Sequence, residues 1–232
     1  MLYLVPTPIG NLEDLTLRAL RVLREAALVA CEDTRTTAVL LQHYGIETPR
    51  TSFHAHNEHG KARHLVERMR AGETIALVSD AGTPGISDPG FLLVREALAA
   101  GVRVEALPGP TAFVPALVAS GLPSDRFVFE GFLPQKKGRQ TRLRALAEEP
   151  RTIVLYESPH RLGKLLGELA DELGPERPAA YARELTKLHE EIRRGTLAEL
   201  AAHVAAQTKV RGELVVVVGG RDAPPFRGDA CP

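Results

Sequence analysis

Cysteine is almost absent. Cys31 and Cys231 are the only two in 232 residues, and a pair 200 positions apart makes neither a disulfide framework nor a zinc-finger spacing. A reducing cytoplasm is therefore expected. Long apolar runs are missing as well: Leu214 to Val218 is the longest wholly apolar stretch near the C-terminal end, far below the ~18 residues a membrane span needs. The opening Met1-Leu2-Tyr3-Leu4 has no basic signal-peptide start, so a soluble protein that stays where it is made is expected. Neither sign of charge dominates, with 29 basic and 29 acidic residues. This excludes a uniformly basic surface that coats nucleic acid and leaves any such contact local. Among 20 glycines no two are separated by a single residue, which removes the G-x-G-x-x-G dinucleotide fingerprint. Gly60-Lys61 and Gly163-Lys164 are followed by Ala62 and Leu165, so there is no Walker lysine motif, and Ser87-Asp88-Pro89 breaks a G-x-S-x-G elbow.

What is present is ordinary globular composition, 44% hydrophobic and 25% charged, on a chain long enough for one large domain or two small ones. The first half alternates short apolar runs with helical spacing, the pattern of βαβ units around a mostly parallel sheet. Strands are expected at 2–5, 28–31, 50–53, 74–78 and 102–107. Helices are expected after Thr16 or Asp14, over 37–44, from a cap at Asn57 to near Gly72, and from Gly90 to Gly101. After a turn-rich link at 121–125 the strands crowd together, at 127–132, 152–156, 179–184, 190–193 and 213–218. A helix is expected to start at Ser158-Pro159, with serine as cap and proline at the first helical position. The organisation reads as an N-terminal α/β domain over 1–120, a C-terminal domain with a mixed sheet over 121–220, and a loose tail over 221–232.

The chemistry points to loops at strand ends. Ser79 to Gly90, glycine- and proline-rich, follows the clearest buried strand and precedes a helix; ligands of open α/β sheets bind outside the carboxyl ends of strands. Pro6 to Asn11, Glu32 to Arg35 and Pro108 to Ala112 sit at comparable places. Four such loops on one sheet edge form a cleft. Asp33, Asp80, Glu157 and His160 each fall at a predicted strand end and are the acid or base candidates, with no ground for choosing among them.

Taken together, Pro6-Thr7-Pro8-Ile9-Gly10-Asn11-Leu12, Glu32-Asp33-Thr34-Arg35, Ser79-Asp80-Ala81-Gly82-Thr83-Pro84 and Pro108-Gly109-Pro110-Thr111-Ala112 resemble the tetrapyrrole-methylase superfamily of S-adenosylmethionine-dependent enzymes. His54-Ala55-His56-Asn57-Glu58, Ser124-Asp125-Arg126-Phe127, Glu157-Ser158-Pro159-His160-Arg161 and Arg183-Glu184-Leu185-Thr186-Lys187 extend the resemblance over residues 1 to about 220. More narrowly, the chain looks like the branch that methylates the ribose 2′-oxygen of a cytidine in the decoding region of small-subunit ribosomal RNA. The resemblance implies two α/β domains with the S-adenosylmethionine cleft between them. It also implies an RNA or assembled-subunit substrate, and often a homodimer. By position it implies cofactor contacts at Pro8, Asp80, Ala81, Gly82, Thr83, Ile86, Thr111 and Ala112, and in the second domain at Tyr156, Glu157, Gly195, Gly212 and Glu213. Thr83 stands where many relatives carry an aspartate, and Asp80 is expected to take over part of that role.

For RNA, Arg35, Arg161 and Lys187 can pair with phosphate or ribose. Between Pro134 and Ala147 lie Lys136, Lys137, Arg139, Arg142 and Arg144 with no acid, a local cluster that attracts phosphate. Phe127, Phe129 and Phe132 alternate and read as strand core and edge rather than base-stacking platforms. Two alternatives remain open. One is a small-molecule methylase acting on a corrin precursor. The other is a metal-dependent hydrolase using His54 and His56, for which no correctly spaced further ligands are identifiable.

Overall fold

A computed structural model describes residues 1–226; residues 227–232, with Cys231 and the end of the expected tail, lie outside the described residues. The chain forms two compact units, one spanning Met1–Thr111 and the other from Ala112 onward.

In the first unit, β1 (Leu2–Leu4), β2 (Leu28–Cys31), β3 (Arg50–Ser52), β4 (Ile75–Val78) and β5 (Val104–Ala106) form an all-parallel sheet in the order β3-β2-β4-β1-β5. The helices are α1 (Leu17–Glu25), α2 (Thr34–His43), α3 (Glu58–Arg70) and α4 (Phe91–Ala99). Successive residues of a strand face opposite sides. Val29, Cys31, Ala76 and Val78 accordingly pack with α1 and α2, and Leu28, Ala30, Ile75 and Leu77 pack with α3 and α4. Burial on both faces is why β2 and β4 read as unbroken apolar runs.

Helix starts follow the local acceptors. Thr16, not Asp14, caps α1 by accepting from the Ala19 amide at 3.0 Å. α2 begins at Thr34, three residues before the expected start, because the Asp33 carboxylate accepts the Arg35 amide at 2.8 Å. Asn57 stands at the N-cap of α3 but does not cap it; its Oδ1 accepts from the His54 amide at 2.9 Å instead.

The second unit contains α5 (Phe113–Ala119), β6 (Phe127–Phe132), α6 (Arg139–Ala147), β7 (Thr152–Glu157), α7 (Leu162–Leu173), β8 (Pro178–Arg183), β9 (Glu191–Thr196), α8 (Leu197–Ala205) and β10 (Leu214–Val218). Its sheet order is β6-β7-β10-β8-β9, with β6 parallel to β7 and every other pair antiparallel. Leucines of α6, α7 and α8, among them Leu143, Leu165, Leu169 and Leu200, bury one face of it. α5 was not expected; Pro115 sits in its first turn, a place a helix tolerates. The helix expected from Ser158-Pro159 starts instead at Leu162. The Glu157 carboxylate accepts the Ser158 amide at 2.8 Å and the Arg161 amide donates to the Ser158 carbonyl at 2.9 Å, so 158–161 closes as a turn. β9 runs three residues beyond its expected end, to Thr196. Among the described residues no helix is long and apolar enough to cross a membrane.

Candidate functional site

β1 and β4 are neighbours whose outgoing connections run in opposite directions: β1 leads through α1 to β2 on one face, and β4 through α4 to β5 on the other. The crevice outside their carboxyl ends is a topological switch point, where open α/β sheets bind ligands. The loops there are fastened together. Thr7 and Gly82 exchange two backbone hydrogen bonds of 2.9 Å, the buried Thr7 hydroxyl donates to the Ser79 carbonyl at 3.0 Å, and the Ser79 hydroxyl donates to the Gly82 carbonyl at 3.2 Å. Thr83 ties in the loop after β5 by donating to the Pro110 carbonyl at 3.0 Å. Its hydroxyl thus holds the loop, which accounts for a threonine where a carboxylate was the expected type. Thr7 and Ser79 were quoted only within motifs and not singled out from sequence; each is a hydroxyl just past the end of a strand, Thr7 after β1 and Ser79 after β4.

Gly82 takes a φ of +80°, which an L side chain rarely adopts, and lies against Ile9 and Thr111. Gly109 is required for space: a Cβ there would stand 2.7 Å from Pro6 Cβ and 2.9 Å from its Cγ. Gly109→Ala is expected to cost about 1–3 kcal/mol by overpacking against a rigid ring, read as a lower urea midpoint. A variant as stable as the parent would show that these loops part without cost. Pro8, Ala81, Ile86 and Thr111 are half-buried around this junction, and Ala112 begins the second unit at the N-cap of α5.

Carboxylates of contrasting character border it. Arg35 places Nε 3.1 Å from Asp33 Oδ1 and Nη2 2.6 Å from Oδ2; these bonds hold the Asp33 carboxyl down at about 2. Asp80 Oδ1 accepts the Asp33 amide at 3.0 Å, yet burial pushes the Asp80 carboxyl up. Burial also raises Glu32, with Asp88, Asp80 and Asp33 adding to it. Asp33 is thus held in its anionic form well below the usual carboxylate range, whereas Asp80 and Glu32 take up protons more readily than ordinary carboxylates. Such an edge offers hydrogen-bond acceptors to hydroxyl or amino groups and a proton acceptor in Asp80.

In the second unit the other predicted residues prove to be engaged. Glu157 is 3% exposed; it accepts from Arg161 Nε at 2.7 Å and faces Arg139 Nη2 at 3.9 Å. Arg161 is therefore an ion-pair partner and not an open cation. His160 is exposed on the 158–161 turn. Lys187 donates to Glu184 at 2.9 Å and to Glu213 at 3.0 Å. Gly195 and Gly212 have local packing reasons: a Cβ on Gly195 would meet the Glu199 carboxylate of the α8 capping box, and one on Gly212 would meet the Glu184 side chain. Tyr156 packs edge-on to Phe129 at 5.1 Å and near Phe132 at 5.6 Å.

The expected basic arm needs correction. Arg139 is buried and donates to Glu168 at 2.8 Å, Arg142 forks onto Glu130 at 2.6 Å, and Arg144 lies 3.9 Å from Glu172. Only Lys136 and Lys137 of the five remain exposed without a described carboxylate. The histidine run fares no better as a metal site. His54 Nε2 meets Asn57 Nδ2 at 3.0 Å, and among the described residues no three His, Cys, Asp or Glu side chains are grouped to hold a metal ion.

A family model described as Tetrapyrrole (Corrin/Porphyrin) Methylases matches residues 1–201. Ribosomal RNA small subunit methyltransferase I of Pseudomonas aeruginosa is 56% identical over 96% of this chain and 80% of its own length. The protein of the same name from Escherichia coli O157:H7 is 52% identical over 96% and 78%. Of solved structures, uroporphyrin-III C-methyltransferase from Thermus thermophilus, complexed with S-adenosyl homocysteine, is 26% identical with a TM-score of 0.65, covering 95% of this chain and 97% of that one. Diphthine synthase reaches a TM-score of 0.72 at 16% identity, over 94% and 89%, a likeness of fold alone. The chain belongs to the tetrapyrrole methylase family and, within it, to the group of relatives named ribosomal RNA small subunit methyltransferase I.

Proposed function

We propose that the protein transfers the methyl group of S-adenosylmethionine to small-subunit ribosomal RNA, and that the acceptor is the ribose 2′-oxygen of a cytidine. What carries the first part is 56% identity, over 96% of the chain, to a relative named for that activity. The corrin-precursor alternative rests on 26% identity to a uroporphyrin-III methylase. The cytoplasm is the proposed place of action, and a homodimer the proposed working form.

The residues at the switch point suit such a cofactor. Gly82 and Gly109 let the loops close tightly on Ile9, Thr111 and Pro6, while Asp80 and Glu32 offer acceptors to its hydroxyl and amino groups. Ala81, Gly82, Thr83, Ile86, Thr111 and Pro8 are the residues proposed to hold it. When bound, it supplies an electrophilic methyl group on a sulfonium. The chain has then to align a nucleophile in line with that methyl and remove the proton of a hydroxyl that is otherwise a weak nucleophile. Asp80 is the proposed base: it is open to solvent beside the switch point and its carboxyl is raised by partial desolvation, whereas Asp33 is held by Arg35 and Glu157 is consumed by Arg161.

Incubation with labelled S-adenosylmethionine and unmodified small subunits, followed by nucleotide mapping, is expected to place label on one cytidine ribose. Label on a base refutes the 2′-oxygen assignment, and no label in RNA refutes the function.

A further inference from the structure

The second sheet collects its loops at one edge. Leu214 pairs with Glu157 on one side and Arg183 on the other, Arg183 pairs with Glu191, and Phe132 with Tyr156. Segments 133–138, 158–161, 184–190 and 206–213 therefore all leave the sheet at this edge. Most acids there are occupied: Glu157 by Arg161, Glu191 by Arg183, and Glu184 and Glu213 by the shared Lys187, while Glu190 is taken up by the Thr186 amide. Lys136, Lys137, Lys209 and Arg211 are exposed, and no described carboxylate pairs with them. The four free cations outnumber the two carboxylate charges left unmatched, at Glu190 and on the shared Lys187, so this edge carries a positive surplus in a protein whose formal net charge is zero.

The 184–190 loop is also built unusually. Glu184 and Thr186 have φ of 52° and 67°, a region that costs ordinary residues energy and β-branched ones most. The loop holds them there by several bonds. Glu184 and Glu213 are joined by the Glu184 amide to the Glu213 carbonyl and by the Glu213 amide to the Glu184 carboxylate, both 2.9 Å. Glu190 accepts the Thr186 amide at 2.6 Å. At the tip of this pinned loop Leu188 is 94% exposed, more than any other large apolar side chain described. Such strain persists where surroundings over-determine it and is concentrated at functional sites, and a leucine standing in water on it does nothing for the fold.

We propose that this edge is where the RNA lies, with Lys136, Lys137, Lys209 and Arg211 on its phosphates and Leu188 inserted against one of its bases. The inference rests on the RNA-methylation function proposed above. Charge complementarity selects the partner: four unpaired cations suit a phosphate backbone. The chemistry selects the leucine's task, since access to a single nucleotide requires unstacking it, and apolar wedges between base steps do this in other nucleic-acid complexes.

The test uses the full chain with unmodified small-subunit RNA and with assembled subunits, the wild type's labelling of RNA serving as reference. Leu188→Ala is expected to lower kcat/KM on RNA about tenfold, with cofactor affinity and melting temperature unchanged, and Leu188→Phe to restore it. Lys209→Ala with Arg211→Ala is expected to reduce the slope of log affinity against log salt by about 1–2. Wild-type kcat/KM in Leu188→Ala, or an unchanged salt slope, overturns the proposal. So does a defect confined to assembled subunits, which assigns the edge to a protein. Wild-type protein that labels no RNA at all overturns the function itself.

Discussion

Arg139→Met is expected to lower the free energy of unfolding by about 3–5 kcal/mol, the range for removing one partner of a buried ion pair. Arg139 is 6% exposed and donates to Glu168 and to the Pro134 carbonyl, with Nη2 also facing Glu157, itself 3% exposed. Methionine replaces the stem but strips Glu157 Oε2, which already lacks a hydrogen-bond partner, of its second guanidinium and leaves Arg161 on Oε1 as its only described cation, and it takes from Glu168 its closest partner. Urea unfolding measures the effect. A loss below about 1 kcal/mol would rank this contact with surface salt bridges. Adding Glu157→Gln to Arg139→Met is expected to recover more than half of the loss, because glutamine still accepts from Ser158 and Arg161 but carries no buried charge. Recovery of nothing would place the cost in packing around α6 instead of charge.

The same residue explains what the sequence concealed. Five basic residues between Pro134 and Ala147 look like an open cluster because their partners are elsewhere in the chain: Glu130 on β6, Glu157 on β7, Glu168 and Glu172 on α7. Tertiary pairing of that kind leaves no mark in a local window. Ser158-Pro159 failed for a related reason. It carries a correct helix-start signal, but the Glu157 side chain, fixed by the end of β7, captures the Ser158 amide first. Elements whose cause is local were legible. β2 has the expected ends because burial on both faces writes them directly, β6 has them although its register shifts between Phe129 and Gly131, and Thr16 caps its own helix. The switch-point loops stand between these cases. Their glycines and their position after strands were readable, whereas the Gly109–Pro6 contact and the Thr83–Pro110 hydrogen bond exist only once β1, β4 and β5 lie side by side.

Asp80→Asn is expected to lower kcat about 100- to 10,000-fold, the contribution typical of a positioned general base. The substitution is nearly isosteric, and an asparagine oxygen can still accept the Asp33 amide that Asp80 holds at 3.0 Å. The loop between β4 and α4 is therefore expected to stay in place, and circular dichroism and melting temperature to stay at parental values. The pH dependence follows from the direction of the shift. Burial raises the Asp80 carboxyl, so its basic form is lost as pH falls through a value above the usual carboxylate range. Single-turnover rates of the parent are expected to fall over that interval. Asp33, held down at about 2 by Arg35, stays ionised throughout and contributes no inflection. Asp33→Asn loosens Arg35 and the cap of α2 but leaves a base in place, so its kcat is expected to fall far less than that of Asp80→Asn. The two roles proposed for Asp80 separate in the same data. Loss of kcat at saturating cofactor and RNA marks the base. A higher KM for the cofactor with kcat and its pH profile intact assigns Asp80 to binding alone, and the proton must then leave through another group.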